Sequence, residues 1–422
     1  MSGTAAPTPA AAPTPAAAPP SALARSVPLI IVAGCIISVV NLGERSAFGL
    51  FLTDMTAARG WSREAFSLAL AIQNLVWGAA MPFAGALADR YGTARILAAG
   101  GLIYAAAMLM TAWAPTPLWL HLSLGVLAGL GIAASSFTIV LAAFGRAVTP
   151  ARRTIAFGVG TAAGSFGQFL FGPLTPVLID RAGWQGALFA FAAITLLIVP
   201  LAYVLRGRSA LGAGGPQLTL GATLRQALAY RSYILLVFGF FVCGFHLAFI
   251  LVHLPAYLGD LGMPAAVGGW ALALIGLFNI AGSLAAGAVG ARYSKPYSLA
   301  AIYLARSAAI AAFVLTPMSV ASVLMFSAVM GLLWLSTVPL TSGLVAVMFG
   351  PRYMATLFGI VFFSHQVGSF IGIWLGGVIY ARTGSYDMLW WIGVLLGVFA
   401  ALVHLPIKDA PAPRIDALPR PA

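Results

Sequence analysis

Apolar runs longer than about 18 residues, the length that indicates a membrane span, recur along almost the whole chain. Of its 422 residues, 61% are hydrophobic and only 7% are charged. In a soluble protein roughly a quarter of the residues carry charge. The sequence therefore predicts an integral membrane protein and excludes a water-soluble one.

Twelve such runs can be counted. They lack the alternation of polar and apolar residues with a period of two that is typical of a membrane β-barrel, and a helix satisfies its own backbone groups in lipid. We therefore predict an all-α membrane protein. The predicted spans are 28–53, 64–88, 94–114, 117–144, 154–179, 184–205, 232–258, 264–290, 297–317, 320–348, 354–381 and 387–406.

A polar segment with the string GAGGPQ separates the sixth span from the seventh. It is typical of a linker, and both chain ends have the composition of disordered tails without the apolar core of a signal peptide. The predicted divisions are a tail at 1–26, a six-helix bundle at 27–206, a linker at 207–230, a second six-helix bundle at 231–407 and a tail at 408–422.

The 22 Lys and Arg residues are distributed unevenly across the predicted membrane. Sixteen lie on the side of the two termini and four on the other side, while Arg45 and Arg306 lie within spans. The positive-inside rule then places both termini in the cytoplasm. The net charge of +13 is spread over loops, which indicates anionic lipid as a partner and no nucleic acid. Only two of the basic residues are Lys, and abundant Ala, Pro and Arg suggest a GC-rich bacterial genome, hence a bacterial inner membrane.

Motifs of catalysis are missing from the sequence. It contains no GxxxxGK[ST] loop, HExxH helix or GxSxG elbow. Cys35 and Cys243 stand alone within spans and provide neither a disulfide framework nor metal-ligand spacing. We therefore expect no enzyme activity, no cofactor and no metal site. Without an ATP site, any transport must draw on a gradient.

The two halves of the chain repeat each other. GALADRYGTAR at 85–95 matches GAVGARYSKPY at 287–297, with Gly, Ala, Arg and Tyr in register at an offset of 202. GSF followed by a Gly occurs at 164–172 and again at 368–376. Parallel repeats of six helices are typical of secondary transporters whose site lies between the halves.

GALADRYGTAR also resembles the signature loop of the major facilitator superfamily, with a Gly, an Asp and basic residues at this spacing on the cytoplasmic side. The resemblance extends over nearly the whole chain. It implies two pseudo-symmetric six-helix bundles, a small-molecule substrate and a monomer. Gly85 is expected to allow a close helix approach, and Asp89, Arg90 and Arg95 to hold the loop in one of two states. A solvated charged turn is the alternative.

The gating residues predicted from these motifs extend to the second half and to the fifth span. The second copy of the loop lacks the acid, and Arg292 matches Arg90. GSFGQFLFGPLTP in the fifth span, with Gly172 and Pro173, resembles the Gly/Pro motif of antiporters, which monocarboxylate porters share. Gating and a pliable helix at a close crossing are both open for this motif.

A narrower resemblance is to the bacterial branch of oxalate/formate antiporters and monocarboxylate porters. It rests on the strings ERSAFGLFL, GWSREAFSLALAIQNLVWGAAMPFAGALADRYG, HLAFILVHLPAYLGDLG and FGIVFFSHQVGSFIGIWLGGVIYARTG. The resemblance implies a carrier of small organic anions. Those carriers hold the substrate carboxylate with an Arg on helix 8, and the oxalate carrier adds a Lys on helix 11. Here the eighth span has no cation, and the eleventh has His365.

Glu44 and Arg45 stand side by side within the first span. A centred Arg costs about 2.5–3.5 kcal/mol, so its side chain is expected to face protein or a wet cavity. Neighbours on a helix diverge by about 100°, so each charge needs a partner of its own. Asn41, Glu44, Arg45 and Phe48 form one stripe. In the superfamily, helices 1, 4, 7 and 10 line the central cavity, which implies that this stripe faces it.

An offset of 202 carries Glu44 onto His246, which shares a helical face with His253. A carboxyl and an imidazole on opposite sides of a cavity are expected to exchange a proton, and a structural pair is the alternative. The predicted substrate-binding residues are Arg45, Asn41, Phe48, Asn74, His246, His253, Trp334, Thr337, His365 and Gln366, and the predicted proton carriers are Glu44, His246 and His365.

Polar residues also join membrane helices, so a structural role remains open for each weaker candidate. Arg306 lies halfway along the ninth span. Helices 3, 6, 9 and 12 brace the outside in the superfamily, which favours structural pairing of Arg306 over anion binding.

Together these features predict a secondary active transporter that moves a small organic anion, a monocarboxylate or a short dicarboxylate, by alternating access with protons. One alternative is proton-coupled efflux of hydrophobic amphiphiles, which the Gly/Pro motif and 11% aromatic residues favour. An alternative of another class is a membrane receptor that keeps the scaffold without transport.

Overall fold

The computed structural model describes residues 27–149, 152–207, 225, 227–350 and 354–412. The predicted tail at 1–26, most of the predicted linker at 207–230 and residues 413–422 of the predicted second tail lie outside the described residues.

Within the described residues, eleven apolar helices are long enough to cross a membrane. One of them, Ile155–Val204, has 50 residues, more than twice the roughly 20 that one crossing needs. Its backbone leaves the helical region at Gly183, where φ is 70° and ψ is 167°. Because only Gly adopts such a conformation readily, the chain reverses there and the segment makes two crossings.

The described residues therefore form twelve crossings and no strand, which confirms the predicted all-α class. The crossings are α1 (Val27–Arg59), α2 (Arg63–Tyr91), α3 (Thr93–Ala112), α4 (Pro117–Ala147), α5 (155–182), α6 (184–204), α7 (Arg231–Asp260), α8 (Ala265–Arg292), α9 (Lys295–Leu315), α10 (Val320–Phe349), α11 (Thr356–Thr383) and α12 (Asp387–His404).

Turn and capping residues mark where the helices begin and end. Gly60 ends α1 with φ at 65°, and the Ser62 hydroxyl begins α2 by accepting a hydrogen bond from the Ala65 amide at 3.2 Å. Ser319 and Ser322 form a reciprocal capping box at the start of α10. These short connections make consecutive crossings antiparallel.

The crossings form two six-helix lobes, an N lobe of α1–α6 and a C lobe of α7–α12. Within the lobes α1 packs on α5, α2 on α4 and α3 on α6, and the same pairs recur as α7 on α11, α8 on α10 and α9 on α12. Across the lobe boundary α2 packs on α11 and α5 on α8. A shift of six helices maps these pairs onto one another, which confirms the pseudo-symmetry predicted from the sequence repeat.

Glycines at the two GSF motifs lie at equivalent helix crossings. Gly167, the residue after the first GSF, lies against the backbone of Val39 in α1, and Gly368 of the second GSF lies against the backbone of Phe241 in α7. A side chain at either Gly would meet a backbone carbonyl. The repeat therefore encodes the close contact between the first and fifth helices of each lobe.

The molecule has two ends, which we call the terminal face, where α1 begins and α12 ends, and the opposite face, where α1 ends and α12 begins. Among the described residues, the hydrogen bonds that join the lobes run from the middle of the helices to the opposite face. They are Asn279 to Ser165, Gln168 to Leu272, Gln366 to Asn74, and Arg63 to Asp260 and to Tyr386. The lobes are thus tied together on the side of the opposite face.

Candidate functional site

Glu44 and Arg45 point to different surroundings. The Glu44 carboxyl is fully buried inside the N lobe, where the Thr195 hydroxyl of α6 donates to Oε2 at 2.5 Å. Arg45 points across the lobe boundary and is only partly buried. Divergence of about 100° between helical neighbours gives the two charges these separate environments.

The Arg45 guanidinium has no acidic partner within the described part of the chain, where the ion pairs are Arg63 with Asp260 and Lys295 with Asp409. Its Nη2 donates to the Asn74 side-chain oxygen at 2.8 Å, and its carbon lies 4.4 Å from the centre of the Trp77 ring. No described residue forms a hydrogen bond with its Nε. One face and one edge of this cation are therefore satisfied by neutral groups, and its charge remains uncompensated.

A small cavity of about 20 Å³ lies beside Arg45. That volume holds one ordered water. It is lined by Arg45, Ser46, Gly49, Leu70, Gln73, Asn74, Ala248, Leu251, Val252 and Ile373. Because α1 and α2 belong to the N lobe and α7 and α11 to the C lobe, both lobes contribute to its wall.

A polar chain leads from Arg45 into the C lobe. Gln366 of α11 donates from Nε2 to the backbone oxygen of Asn74 at 3.1 Å, and its Oε1 lies 3.0 Å from Nδ1 of His365. The His365 ring stacks on Phe362 with 5.7 Å between centres, and Phe362 contacts the edge of Trp77 at 5.6 Å. Four of the predicted substrate-binding residues thus meet at the boundary, namely Arg45, Asn74, His365 and Gln366.

The other members of the predicted α1 stripe do not face this cavity. Asn41 donates to the Ser135 hydroxyl at 2.7 Å, which joins α1 to α4. Phe48 is 1% exposed and packs near Phe51 and Tyr104, with 6.4 Å between its ring centre and that of Tyr104. The stripe is split because it spans too wide an arc for one cavity, so only its Arg45 edge reaches the boundary.

His246 and His253 lie inside the C lobe. Nε2 of His246 is 2.7 Å from the Gly393 backbone oxygen of α12, and Nε2 of His253 is 2.8 Å from the Ile373 backbone oxygen of α11. Glu44 contacts α6 while His246 contacts α12, so the offset of 202 does relate equivalent places. Each group nevertheless turns toward the sixth helix of its own lobe, and the two do not face each other across a cavity.

Arg306 is fully buried at the break in α10. It donates to the backbone oxygens of Leu333 and Trp334 and lies 3.4 Å from the Cys243 sulfur. Thr337 contacts the same sulfur at 3.2 Å. The carbonyls at the end of a helix carry partial negative charge, and they offset part of the charge of this cation. Trp334 and Thr337, predicted to bind substrate, belong to this cluster, which adjoins His365.

The predicted gating loop at the terminal face is held within the N lobe. The Arg146 guanidinium donates to the Thr93 hydroxyl at 2.5 Å and lies in the field of Asp89. Arg90, Arg95 and Arg292 are exposed. At Gly85 an added Cβ would meet no atom within 4 Å, so the close helix approach expected there is absent from this arrangement. The sequence-based interpretation also missed Arg146, which the loop motif does not include.

Gly172, followed by Pro173, lies at a backbone contact between the lobes. A Cβ at Gly172 would be 2.5 Å from the Gly269 oxygen of α8, and one at Gly269 would be 2.6 Å from the Gly172 oxygen. The α5 motif thus permits the lobes to touch without side chains between them.

A further cluster at the opposite face was missed because its members are far apart in sequence. Arg63 of α2 donates to both carboxylate oxygens of Asp260 in α7 at 2.6 Å. Its guanidinium carbon lies 3.9 Å from the Tyr380 ring centre, and its Nη1 donates to the Tyr386 oxygen at 3.1 Å. Burial raises the pKa of Tyr386 to about 12, so this phenol is neutral at physiological pH. The only sequence signal was an Arg on the Arg-poor side.

Comparison with known proteins agrees with this architecture. The family model of the Major Facilitator Superfamily matches residues 34–373. The chain is 24% identical over 385 residues to YcxA of Bacillus subtilis, an uncharacterized MFS-type transporter, covering 86% of this chain and 91% of that protein. It is 25% identical over 395 residues to monocarboxylate transporter 13 of Bos taurus, covering 91% of each.

Solved structures share the fold at low identity. A bacterial homologue of the human lysosomal transporter Spinster, in an inward-facing and unoccupied conformation, superposes with a TM-score of 0.73 at 14% identity, covering 90% of this chain and 96% of that one. A D-xylose–proton symporter gives a TM-score of 0.67 at 14% identity, covering 90% and 97%. This multi-pass membrane protein therefore belongs to the Major Facilitator Superfamily, whose members are transporters and not enzymes.

Proposed function

We propose that this protein is a secondary active transporter of a small organic anion, a monocarboxylate or a short dicarboxylate, bound at Arg45 and moved by alternating access. The observation that carries the proposal is the Arg45 guanidinium, which lines a cavity between the lobes without a carboxylate partner among the described residues. With about 20 Å³ the cavity of this arrangement has room for one water molecule, so a substrate would enter it when the lobes move apart. Its carboxylate would then supply the missing charge and would bond to the free Nε.

The position of Arg45 also supports coupling of binding to lobe movement. The residue contacts Asn74 within the N lobe, and Asn74 is bonded to Gln366 of the C lobe. An anion that draws Arg45 away from Asn74 would disturb the bonds that cross the boundary. Relatives named as monocarboxylate transporters support an anionic substrate as well.

We assign the proton to His365 within this proposal. Its ring is bonded to Gln366 and is thereby connected to the Arg45 site through one polar chain. Glu44 and His246 remain alternative carriers, each held within its own lobe. An imidazole ring can take up a proton and release it again, which suits a carrier that binds a proton on one side and releases it on the other.

The proposal includes the setting of the protein. The excess of basic residues beside the terminal face supports a bacterial inner membrane with both termini in the cytoplasm. The lobes of one chain complete the cavity, so a monomer is sufficient.

Transport by purified protein in liposomes tests the role of Arg45. With labelled monocarboxylates outside and an alkaline interior, the wild type is expected to accumulate substrate. Arg45→Gln should reduce uptake at least tenfold, because hydrogen bonds to a charged group are worth about 1.5–3 kcal/mol.

The matched control is Arg382→Gln, which removes an exposed positive charge at the opposite face. It should transport as the wild type does. Unchanged uptake by Arg45→Gln, in protein that melts at the wild-type temperature, would remove Arg45 from the substrate site. Extrusion of hydrophobic amphiphiles without carboxylate transport would favour the efflux alternative.

A further inference from the structure

The ion pair between Arg63 and Asp260 could be a simple latch, that is, a contact that only holds the two lobes together. Its surroundings are unusual for such a contact. Arg63 is held from two sides, by the Tyr380 ring and by the Tyr386 oxygen, so its guanidinium is oriented independently of Asp260. The side chains of Arg63 and Asp260 are 13% and 30% exposed. Water therefore reaches the Asp260 side of this pair, from which a dissolved anion can compete with the Asp260 carboxylate.

A cavity of about 440 Å³ opens beside the pair. Its walls come from α1, α2 and α11, and Arg63 is the only charged residue among those that line it. The lining residues are Thr53, Thr56, Ala57, Trp61, Ser62, Arg63, Tyr380 and Ala381. A small carboxylate fits this volume, with the indole of Trp61 and the hydroxyls of Thr53 and Ser62 around it.

The cavity lies in line with the Arg45 site. Thr53 follows Arg45 by eight positions on α1, which places it about 12 Å farther toward the opposite face. Arg63 precedes Asn74 by eleven positions on α2, about 16 Å along that helix. The same two helices therefore carry one Arg at the boundary cavity and one beside the cavity at the opposite face.

We propose that Arg63 captures the anion. A carboxylate that arrives from the opposite face binds Arg63 in this cavity and displaces the carboxylate of Asp260. The two anions are chemically alike, so the bidentate geometry is retained while the bond to α7 is lost. Recognition at the entrance thereby releases the C lobe from the N lobe. This role rests on the proposed transport of an anion, and it adds a second residue that selects negative charge.

Capture and a plain latch predict different KM values when Arg63 and Asp260 are substituted one at a time. Arg63→Gln and Asp260→Asn both break the ion pair, so a plain latch predicts the same change in both variants. Capture predicts opposite changes in KM for anions supplied at the opposite face. Arg63→Gln should raise KM roughly tenfold, because a charged hydrogen-bond partner is lost. Asp260→Asn should lower KM, because the internal competitor is gone.

A binding measurement on the detergent-purified protein supplies a readout that does not require transport. Trp61 lines the cavity, so its fluorescence reports binding there. The Trp61 fluorescence of each protein is obtained by subtracting the fluorescence of the same protein with Trp61→Phe. Titration with sodium propionate, against sodium chloride as the matched salt, should give a saturable change in the wild type and in Asp260→Asn. Arg63→Gln should give none. A change in all three proteins, or in none, would overturn capture, as would equal KM shifts in the two variants.

Failure of capture is distinguishable from failure of the proposed function. If Arg45→Gln loses uptake while Arg63→Gln and Asp260→Asn behave alike, the transporter moves anions and Arg63 is only a latch. If propionate binds at Trp61 in an Arg63-dependent manner and wild-type liposomes take up no carboxylate, Arg63 binds anions in this cavity and the transport proposal fails.

Discussion

At the scale of single residues, two neighbouring charged residues of α1 have different roles, one at the lobe boundary and one inside the N lobe. Arg45 faces the lobe boundary, and Glu44 beside it is fully buried with a single hydrogen bond, the one donated by Thr195. Oε1 of Glu44 has no partner among the described residues. A buried carboxyl with so few partners depends strongly on the donor that remains.

Replacement of that donor should therefore cost stability. Thr195→Val is expected to lower the free energy of unfolding by about 1–3 kcal/mol, since the carboxyl stays buried without its bond. Thermal unfolding in detergent measures the difference. The control is Thr175→Val, a fully buried Thr of α5 whose hydroxyl bonds only to the Phe171 carbonyl of its own helix. Equal melting temperatures for the two variants would contradict the assignment.

At the scale of elements, α10 is interrupted at mid-membrane and Arg306 closes the gap. The helix Val320–Leu333 ends there, and a new helix begins at Thr337. Carbonyls freed by such a break need donors, because lipid offers none. The guanidinium of α9 donates to the oxygens of Leu333 and Trp334 and so ties α9 to the end of the first part of α10 and to the break that follows it.

Arg306→Met should destabilise the C lobe by about 1–3 kcal/mol for each buried carbonyl that is left without a donor. The exposed Arg382→Gln should change stability by less than about 0.5 kcal/mol. Melting temperature and uptake are measured together. If Arg306 held the substrate anion in place of the helix ends, Arg306→Met would keep the melting temperature and lose transport.

At the scale of the whole molecule, the two lobes meet through glycines and polar groups on the side of the opposite face. Gly172 and Gly269 touch through their backbones, and Gly276 of α8 lies against the Ser165 oxygen. Such contacts have little side-chain interlocking, so the lobes can separate without unpacking their own cores. The arrangement is suited to rocking of one lobe against the other.

Gly269→Ala should shift the lobes apart at the opposite face. Its Cβ would be 2.6 Å from the Gly172 oxygen, and such overpacking costs about 1–3 kcal/mol. Spin labels on the exposed residues Ala58 and Met388 should report longer distances than in the unsubstituted protein.

Gly287→Ala on the same helix is the control for this test, because its Cβ would meet no atom within 4 Å. It should leave the label distances unchanged. Indistinguishable distances for Gly269→Ala and Gly287→Ala would show that the glycine contact does not set the lobe arrangement.

The sequence by itself determined the membrane class, the twelve helices, the half-repeat and the resemblance to the superfamily. These follow from hydropathy and from local motifs, which act within one helix or one loop. It also indicated that Arg45 needs a partner beyond Glu44, since helical geometry separates chain neighbours.

Only the tertiary structure decided which side of each helix meets the other lobe. It placed Asn41, Glu44 and Phe48 inside the N lobe and Arg45 at the boundary, although all four share a stripe in sequence. It also joined Arg63 to Asp260, which are 197 positions apart. The physical reason is that a polar stripe satisfies itself equally well inside a lobe or between lobes, and the choice depends on the packing of helices distant in the chain.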